Sequence, residues 1–428
     1  MGVDAMKILV LGGGGREHAI VWALSRSSLA GEIHCFPGNA GISELATVHV
    51  MDNFDTTSIM ALTERILPDL VIVGPEAPLV AGVSDSLRDR GFPVFGPGAH
   101  GARLEGSKAF AKSFMERHGI PTAPFDICEN ISEAERALEK RTPPFIVKAD
   151  GLAAGKGVFI LDSLVEAREI CSGLLEKRIL GEAGRKIVIE DHLPGKELTI
   201  LAATDGKEWR ILPSSQDHKR AFDGDRGPNT GGMGAFSPVA FAGAGFLEKI
   251  EGSIIEPTVR GLASDSIPYR GILYFGLMID EAGKARVLEY NVRMGDPETQ
   301  VVLPSFGGDF AEMALASAKG DLSCVTVPPP SCSSVGVVIA SEGYPGEYRK
   351  GFYISGLEKI SKRDGVKVFH SGTSKDSKGR TVTSGGRVLT VVGTGDDVFS
   401  AREKAYEALD DIEFEGAFFR RDIAINKE

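Results

Sequence analysis

A chain of 428 residues, 42% hydrophobic and 25% charged, has room for about three domains of roughly 150 residues each, and no apolar run approaches the about 20 residues of a membrane helix. Its net charge of −11, with no long Lys/Arg cluster to offset it, argues against a nucleic-acid partner, so any phosphate bound here is expected on a small molecule. Cys35, Cys128, Cys171, Cys324 and Cys332 lack CxxC spacing, which argues against a disulfide framework or a zinc site, and the N-terminus MGVDAMKILVL is too short and strand-like for a signal peptide; free, buried thiols in a cytoplasmic protein are expected.

From Met6 to about Pro97, apolar runs alternate with helical periodicity: ILVL, a helix around Ala19, Ile20, Ala23 and Leu24, EIHCF, a helix around Ile59, Leu62 and Ile66, DLVIVG, a further helix, and PVFG. This pattern predicts a parallel sheet covered on both faces, with ligands beyond the carboxyl ends of its strands. GGGGREH, FPGNAG and GPEAP all fall at that rim. Farther on, PPFIVKADGLAAGKGVFIL and RKIVIEDHLPGKELTILAATDGKEWRIL read as strands with tight turns, predicting a small, mostly antiparallel lobe from about 122 to 195 within a larger middle domain. Pro328-Pro329-Pro330 marks a boundary, after which VGVVIAS, VKVFHSG and GRVLTVVG read as strands and Val398 to Leu409 as a helix. The domains predicted are 1–107, 108–327 and 328–428, mixing α/β and α+β layers.

The run GGGGREHAI, Gly12 to Ile20, opens like a dinucleotide fingerprint. Counting from Gly12 places Glu17 where the third glycine should lie, and the next strand ends Cys35-Phe36-Pro37-Gly38 with no acidic residue for a ribose. NAD is therefore not expected. Backbone N–H groups at a helix N-terminus, with the planar fork of Arg16, suit a phosphate, and the competing reading is a tight structural turn. IVKADGLAAGKGVFI lacks the Walker order, because Gly157 and Val158 follow Lys156; yet Lys148 inside a strand is a poor core residue unless its ammonium meets an anion. In RVLEYNVRMGDPETQ, Glu289 and Asn291 stand two apart on a strand and share a face, an oxygen pair suited to Mg²⁺ that phosphates also ligate. Surface solvation is the competing reading for that pair. SSQDHKRAFDGDRGPNTGGMGAFSP reads as a glycine-rich loop, either exposed or closing over substrate, with Asp217, Lys219 and Arg220 supplying charge.

In order along nearly the whole chain, GGGGREH, FPGNAG, VGPEAPLV, LEGSKAF, KADGLAAGKGV, SSQDHKR, GPNTGGMGA and EYNVRMGDPETQ resemble the phosphoribosylamine–glycine ligases, ATP-grasp enzymes of purine synthesis. The resemblance implies ATP-dependent joining of 5-phosphoribosylamine to glycine through glycyl phosphate, giving glycinamide ribonucleotide, ADP and phosphate, with Mg²⁺ or Mn²⁺ and a monomeric chain. By matching position it implies that Lys108, Lys148 and the GLAAGKG loop, with Gly155, Lys156 and Gly157, cover the ATP phosphates. IVIEDHL resembles the adenine hinge, with Glu190 and Leu193 beside the base and Glu197 near the ribose. Glu289 and Asn291 match the metal ligands, and Asp217, Arg293, Gly295 and Asp296 match the place of glycine and the acyl phosphate. Gly14, Gly15, Arg16, Gly38, Asn39, Pro75 and Glu76 form the implied phosphoribosylamine pocket. One feature departs from the wider ATP-grasp pattern: the strand GILYFGLMID carries no carboxylate between Tyr274 and Met278. A carboxylase-type ATP-grasp enzyme is the neighbouring reading, opposed by SSQDHKR and GPNTGGMGA; a non-catalytic nucleotide sensor is opposed by the presence of Lys148, Glu289 and Asn291.

Overall fold

The computed structural model describes residues 5–153 and 157–425. The N-terminal alternation folds as read. Strands β1 (Met6–Gly12), β2 (Ala30–Pro37), β3 (Thr47–Val48), β4 (Leu70–Val73) and β5 (Val94–Phe95) form a parallel sheet in the order β3-β2-β1-β4-β5. Helix α1 (Gly15–Leu24) packs on one face, and the helix Thr56–Ile66 buries Ile59, Leu62 and Ile66 on another. Asp55 starts that second helix by accepting the Ser58 N–H.

The small lobe is a fully antiparallel sheet of β6 (Phe125–Cys128), β7 (Phe145–Ala149), β8 (Val158–Leu161) and β9 (Ile187–Glu190), ordered β6-β9-β7-β8. Unlike the strand-and-turn reading, it also carries two helices, Ile131–Glu139 and Leu164–Leu175. Each is capped by a side chain, Asn130 or Ser163, and their Ala134, Leu138, Cys171 and Leu174 pack on Val147 and Ile189 to give the lobe its own core. The string from Arg185 to Leu212 divides: β9 stays in the lobe, while β10 (Lys196–Thr204) and β11 (Trp209–Ile211) join a second sheet.

That second sheet becomes antiparallel β11-β10-β16-β17 with β16 (Gly271–Ile279) and β17 (Ala285–Asn291). The polar, glycine-rich segment read as a loop contains four short strands: β12 (Gln216–Asp217), β13 (Arg220–Phe222), β14 (Arg226–Asn229) and β15 (Gly234–Ser237). β13 and β14 form a hairpin. β12 and β15 instead extend the C-terminal sheet, β12-β15-β18-β22-β19, where β18 is Ser333–Ser341, β19 Val366–His370 and β22 Arg387–Gly395. The hairpin β20 (Thr373–Lys375) and β21 (Thr381–Thr383) and the short β23 (Ala417–Phe418) complete the strands. The C-terminal sheet is thus built from both sides of residue 328. All five cysteines are free: Cys35, Cys128 and Cys171 are buried, Cys332 is half-buried and Cys324 is exposed. Among the described residues no helix is long and apolar enough to cross a membrane.

Candidate active site

All three parts of the chain wall one cavity of about 1050 Å³. Arg16, Pro75 and Glu76 line it from the N-terminal rim; Lys108, Lys148, Gly157, Glu190, Leu193, Glu197, Asp217, Glu289, Asn291, Arg293 and Asp296 from the middle; Tyr344 and Arg387 from the C-terminal region. Gly14, Gly15, Gly38, Asn39 and Gly295 are not on its wall. Gly155 and Lys156 lie outside the described residues.

The opening glycine loop is folded around Glu17. Its carboxylate accepts the Gly14 N–H at 2.7 Å and pairs with Arg16 Nε at 2.6 Å, and a Cβ on either Gly12 or Gly74 would collide with it. The residue that broke the dinucleotide pattern therefore fills the helix N-terminus with the protein's own anion. Asn39 is equally committed: its amide donates to the carbonyls of Gly13 at 2.9 Å and His370 at 2.6 Å, and its oxygen accepts from Gly41 and Ile42. Gly38 donates to the Gly12 carbonyl, and Gly15 packs against Gln300 and Ser371. What this loop offers the cavity is Arg16, which also donates to Met294 O at 3.3 Å.

Beside the small lobe, a buried ladder of charge runs through Glu190. Lys112 Nζ lies 2.5 Å from Glu190 Oε2, Lys148 pairs with Oε1, and Lys148 also donates to Leu288 O at 3.2 Å. Burial pushes the Glu190 carboxyl up, but Lys148 and Lys112 outweigh it and hold it below the ordinary value; burial brings the Lys112 ammonium down to about 8. The carboxylate of Glu190 thus fixes Lys148. Lys108 is lowered by burial and by Lys148, against the pull of Glu289 and Asp150. An arriving phosphate would relieve that crowding of cations.

Glu289 and Asn291 share a face of β17, opposite Gly276 and Tyr274 of β16. Gly276 leaves the space beside the Glu289 stem, where a Cβ would come within 3.2 Å of Cγ. Among the described residues no three His, Cys, Asp or Glu side chains converge as metal ligands. The oxygen pair itself suits a hard cation whose remaining ligands are phosphate and water. Arg293 is clamped by Glu105, which accepts its Nη2 at 2.8 Å and the Val292 N–H at 2.8 Å, with Glu76 3.4 Å from its Nε. Burial disfavours the Arg293 charge, yet Glu105 and Glu76 raise its pKa above the ordinary value. Half-buried Asp217 is pushed up to about 7 by burial, with Lys219 opposing and Glu298, Glu197 and Glu289 adding. Lys219 in turn donates to Glu197 at 2.7 Å.

Sequence reasoning left Glu105, Lys112, Tyr274, Glu298, Tyr344 and Arg387 without roles, although all line this cavity. Glu105 lies in the quoted LEGSKAF and Glu298 in GDPE, signals that were present but unassigned. Arg387 had none. It crosses from the C-terminal sheet to donate to Gly231 O at 2.7 Å and Asp296 O at 2.8 Å, with its Nη2 3.1 Å from Asp296 Oδ2.

The chain matches three family profiles in succession: Phosphoribosylglycinamide synthetase, N domain, over residues 6–105; its ATP-grasp (A) domain over 106–299; and its C domain over 334–426. It is 44% identical to a phosphoribosylamine–glycine ligase of Escherichia coli O157:H7, covering 99% of this chain and 100% of that one, and 45% identical to one of Streptomyces coelicolor, covering 98% and 99%. The crystal structure of the Thermotoga maritima phosphoribosylamine–glycine ligase superposes with a TM-score of 0.84 at 38% identity, covering 98% of this chain and 100% of that one. A Hydrogenobacter thermophilus biotin carboxylase domain shares the fold, with a TM-score of 0.77 at 17% identity over 97% of this chain and 92% of that one. With an N-terminal rim, a lysine ladder, a metal-suited strand and a C-terminal arginine meeting in one cavity, and with relatives matched from end to end, the chain belongs to the phosphoribosylamine–glycine ligase family.

Proposed function

We propose that this cavity joins 5-phosphoribosylamine to glycine at the expense of ATP, by way of glycyl phosphate, the carbon–nitrogen ligation of its family. The convergence of Arg16, Lys148, Glu289 and Arg293 on one cavity is the observation that carries this reading. Glycine's carboxylate is a poor electrophile until phosphorylated, and phosphoryl transfer calls for positioning and charge neutralisation rather than a covalent enzyme intermediate. Lys148, fixed by Glu190, and Lys108 hold the nucleotide's phosphates; Leu193 sits against the base and Glu197 near the ribose. Glu289 and Asn291 would hold Mg²⁺ or Mn²⁺, which when bound neutralises phosphate charge. Arg293, oriented by Glu105, faces the negative charge developing on the acyl phosphate, with Asp217 and Asp296 beside it. Arg16 and Glu76 receive the sugar-phosphate amine from the other side, and the glycine loop and Asn39 keep Arg16 in place.

The reading includes a monomer acting in the cytoplasm. The test is phosphate release from ATP with Mg²⁺, which is expected only when glycine and freshly made phosphoribosylamine are both present. Equal turnover with bicarbonate in place of glycine overturns the assignment. Sedimentation at assay concentration checks the monomer.

A further inference from the structure

The Glu298 side chain is 3% exposed and lies on the cavity wall. Its Oε1 accepts the Tyr274 hydroxyl at 2.7 Å, and that hydroxyl lies 3.0 Å from Thr199 Oγ1. Among the described residues Oε2 has no hydrogen-bond or ion-pair partner. An ionised carboxylate is acceptor-only, and burying one with a single neutral donor is costly unless a cation comes to it. The nearby guanidinium groups are committed elsewhere: Arg293 to Glu105 and the Met294 carbonyl, Arg387 to Asp296 and the Gly231 carbonyl. Asp217 adds negative charge to the same space, because Glu298 is among the groups that raise its carboxyl. Arg293 and Arg387 both feel the Glu298 charge without ion-pair contact to it, so a cation directly against Oε2 would arrive with a ligand. A divalent cation would have its own oxygen pair in Glu289 and Asn291 of β17. A primary ammonium, with three donors and one charge, fits better. The wall is also close: a Cβ on Gly295 would collide with the Glu298 carboxylate and crowd the Tyr274 ring.

We propose that the Glu298 carboxylate, held by the Tyr274 hydroxyl, receives the ammonium group of glycine and so selects an amino acid over an uncharged carboxylic acid as acceptor. This rests on the reading of glycine as the acceptor. With the ammonium at Glu298, the substrate's carboxylate is left to face Arg293, the orientation that phosphorylation requires.

The experiment compares the unsubstituted chain with E298Q and Y274F, using glycine and glycolate, which carries a hydroxyl where glycine has its ammonium. In E298Q the glycine KM is expected to rise about ten- to a hundredfold, with the KM values for ATP and phosphoribosylamine nearly unchanged. The preference for glycine over glycolate in kcat/KM should shrink in step. Y274F keeps the carboxylate but loses its holder, and a several-fold rise in glycine KM is expected; it serves as the readout if E298Q melts early. An unchanged glycine KM in both variants overturns the proposal. So does an increased Mg²⁺ requirement at unchanged glycine KM, which would make Glu298 a metal ligand. Glycine-dependent phosphate release by the unsubstituted chain tests the underlying reading separately: its absence removes the acceptor, whereas its presence with indifferent variants removes only the role of Glu298.

Discussion

Single side chains in this cavity divide by whether their partners are protein or empty space. Glu289 has room beside Gly276 and faces the cavity, so E289A is expected to lower kcat about a hundredfold or more while costing less than about 1 kcal/mol of stability. Paired kinetics and thermal melting check it, and a melting loss matching the kinetic loss would make the residue structural. Arg16 behaves differently because it is 7% exposed and paired with Glu17, itself 2% exposed. R16A strands a buried carboxylate and should cost about 3 kcal/mol by denaturant titration, together with a raised KM for phosphoribosylamine and a nearly unchanged one for ATP. Sequence made Arg16 and Glu289 legible because their neighbours along the chain carry the signal. Glu17 was read only as a missing glycine, since its fold-back onto Gly14 depends on space left by Gly74, just beyond β4. Glu298 stayed unassigned for a similar reason: its holder, Tyr274, comes from β16.

At the level of elements, two ties from the C-terminal region hold the acceptor loops. Arg387 spans the Gly231 carbonyl and both the carbonyl and carboxylate of Asp296, while the Tyr344 hydroxyl accepts the Gly231 N–H at 3.0 Å. A lysine cannot reach these acceptors together, so R387K should lose about tenfold or more in kcat, and added guanidinium should restore part of the activity of R387A but none of R387K. The second tie latches the β13–β14 hairpin: Asp422 accepts the Gly224 N–H at 2.8 Å, Asp223 accepts the Arg421 N–H at 2.7 Å, and Arg420 pairs with Asp225 at 2.8 Å. Burial pushes the Asp422 carboxyl up, but Arg420 and the Gly224 N–H hold it far below its ordinary value. A depressed carboxylate contributes stability that is complete above the unfolded value of about 3.9 and is lost as pH falls through the folded one. Amide protection at 222–227, taken relative to the intrinsic exchange rate at each pH, should therefore fall below about pH 4, and D422N should show low protection already at neutral pH with a flatter acid dependence. None of this was legible beforehand. β12 and β15 are too short to alternate; β15 takes its strand character from β18, about a hundred residues on, and β12 pairs with β15 in turn.

For the whole molecule, the parallel N-terminal sheet was readable because β1, β2, β4 and β5 carry local apolar runs; the two-residue edge strand β3 has none and was not read. The helices of the small lobe were missed because the glycine-rich strings between them dominated the reading. The C-terminal strands β18, β19 and β22 were readable as apolar runs, but the reach of their antiparallel sheet back across residue 328 was not, since β18 accepts β15 on one side and β22 on the other. A chain ended at residue 327 would leave β15 without β18 and Asp296 without Arg387. Such a truncated protein should show no ligation and should associate through the bared edge, checked by turnover and light scattering.

That shared sheet also sets a time order. A chain emerging from the ribosome at about 5–20 residues per second can complete its N-terminal sheet early, but Asp217 and the Gly231 turn find their final support only after β18 and Arg387 have been made. The part that handles ATP is thus synthesised before the part that fixes the acceptor loops. The segment around Asp217 and Gly231 therefore waits for its supports until the last quarter of the chain is out.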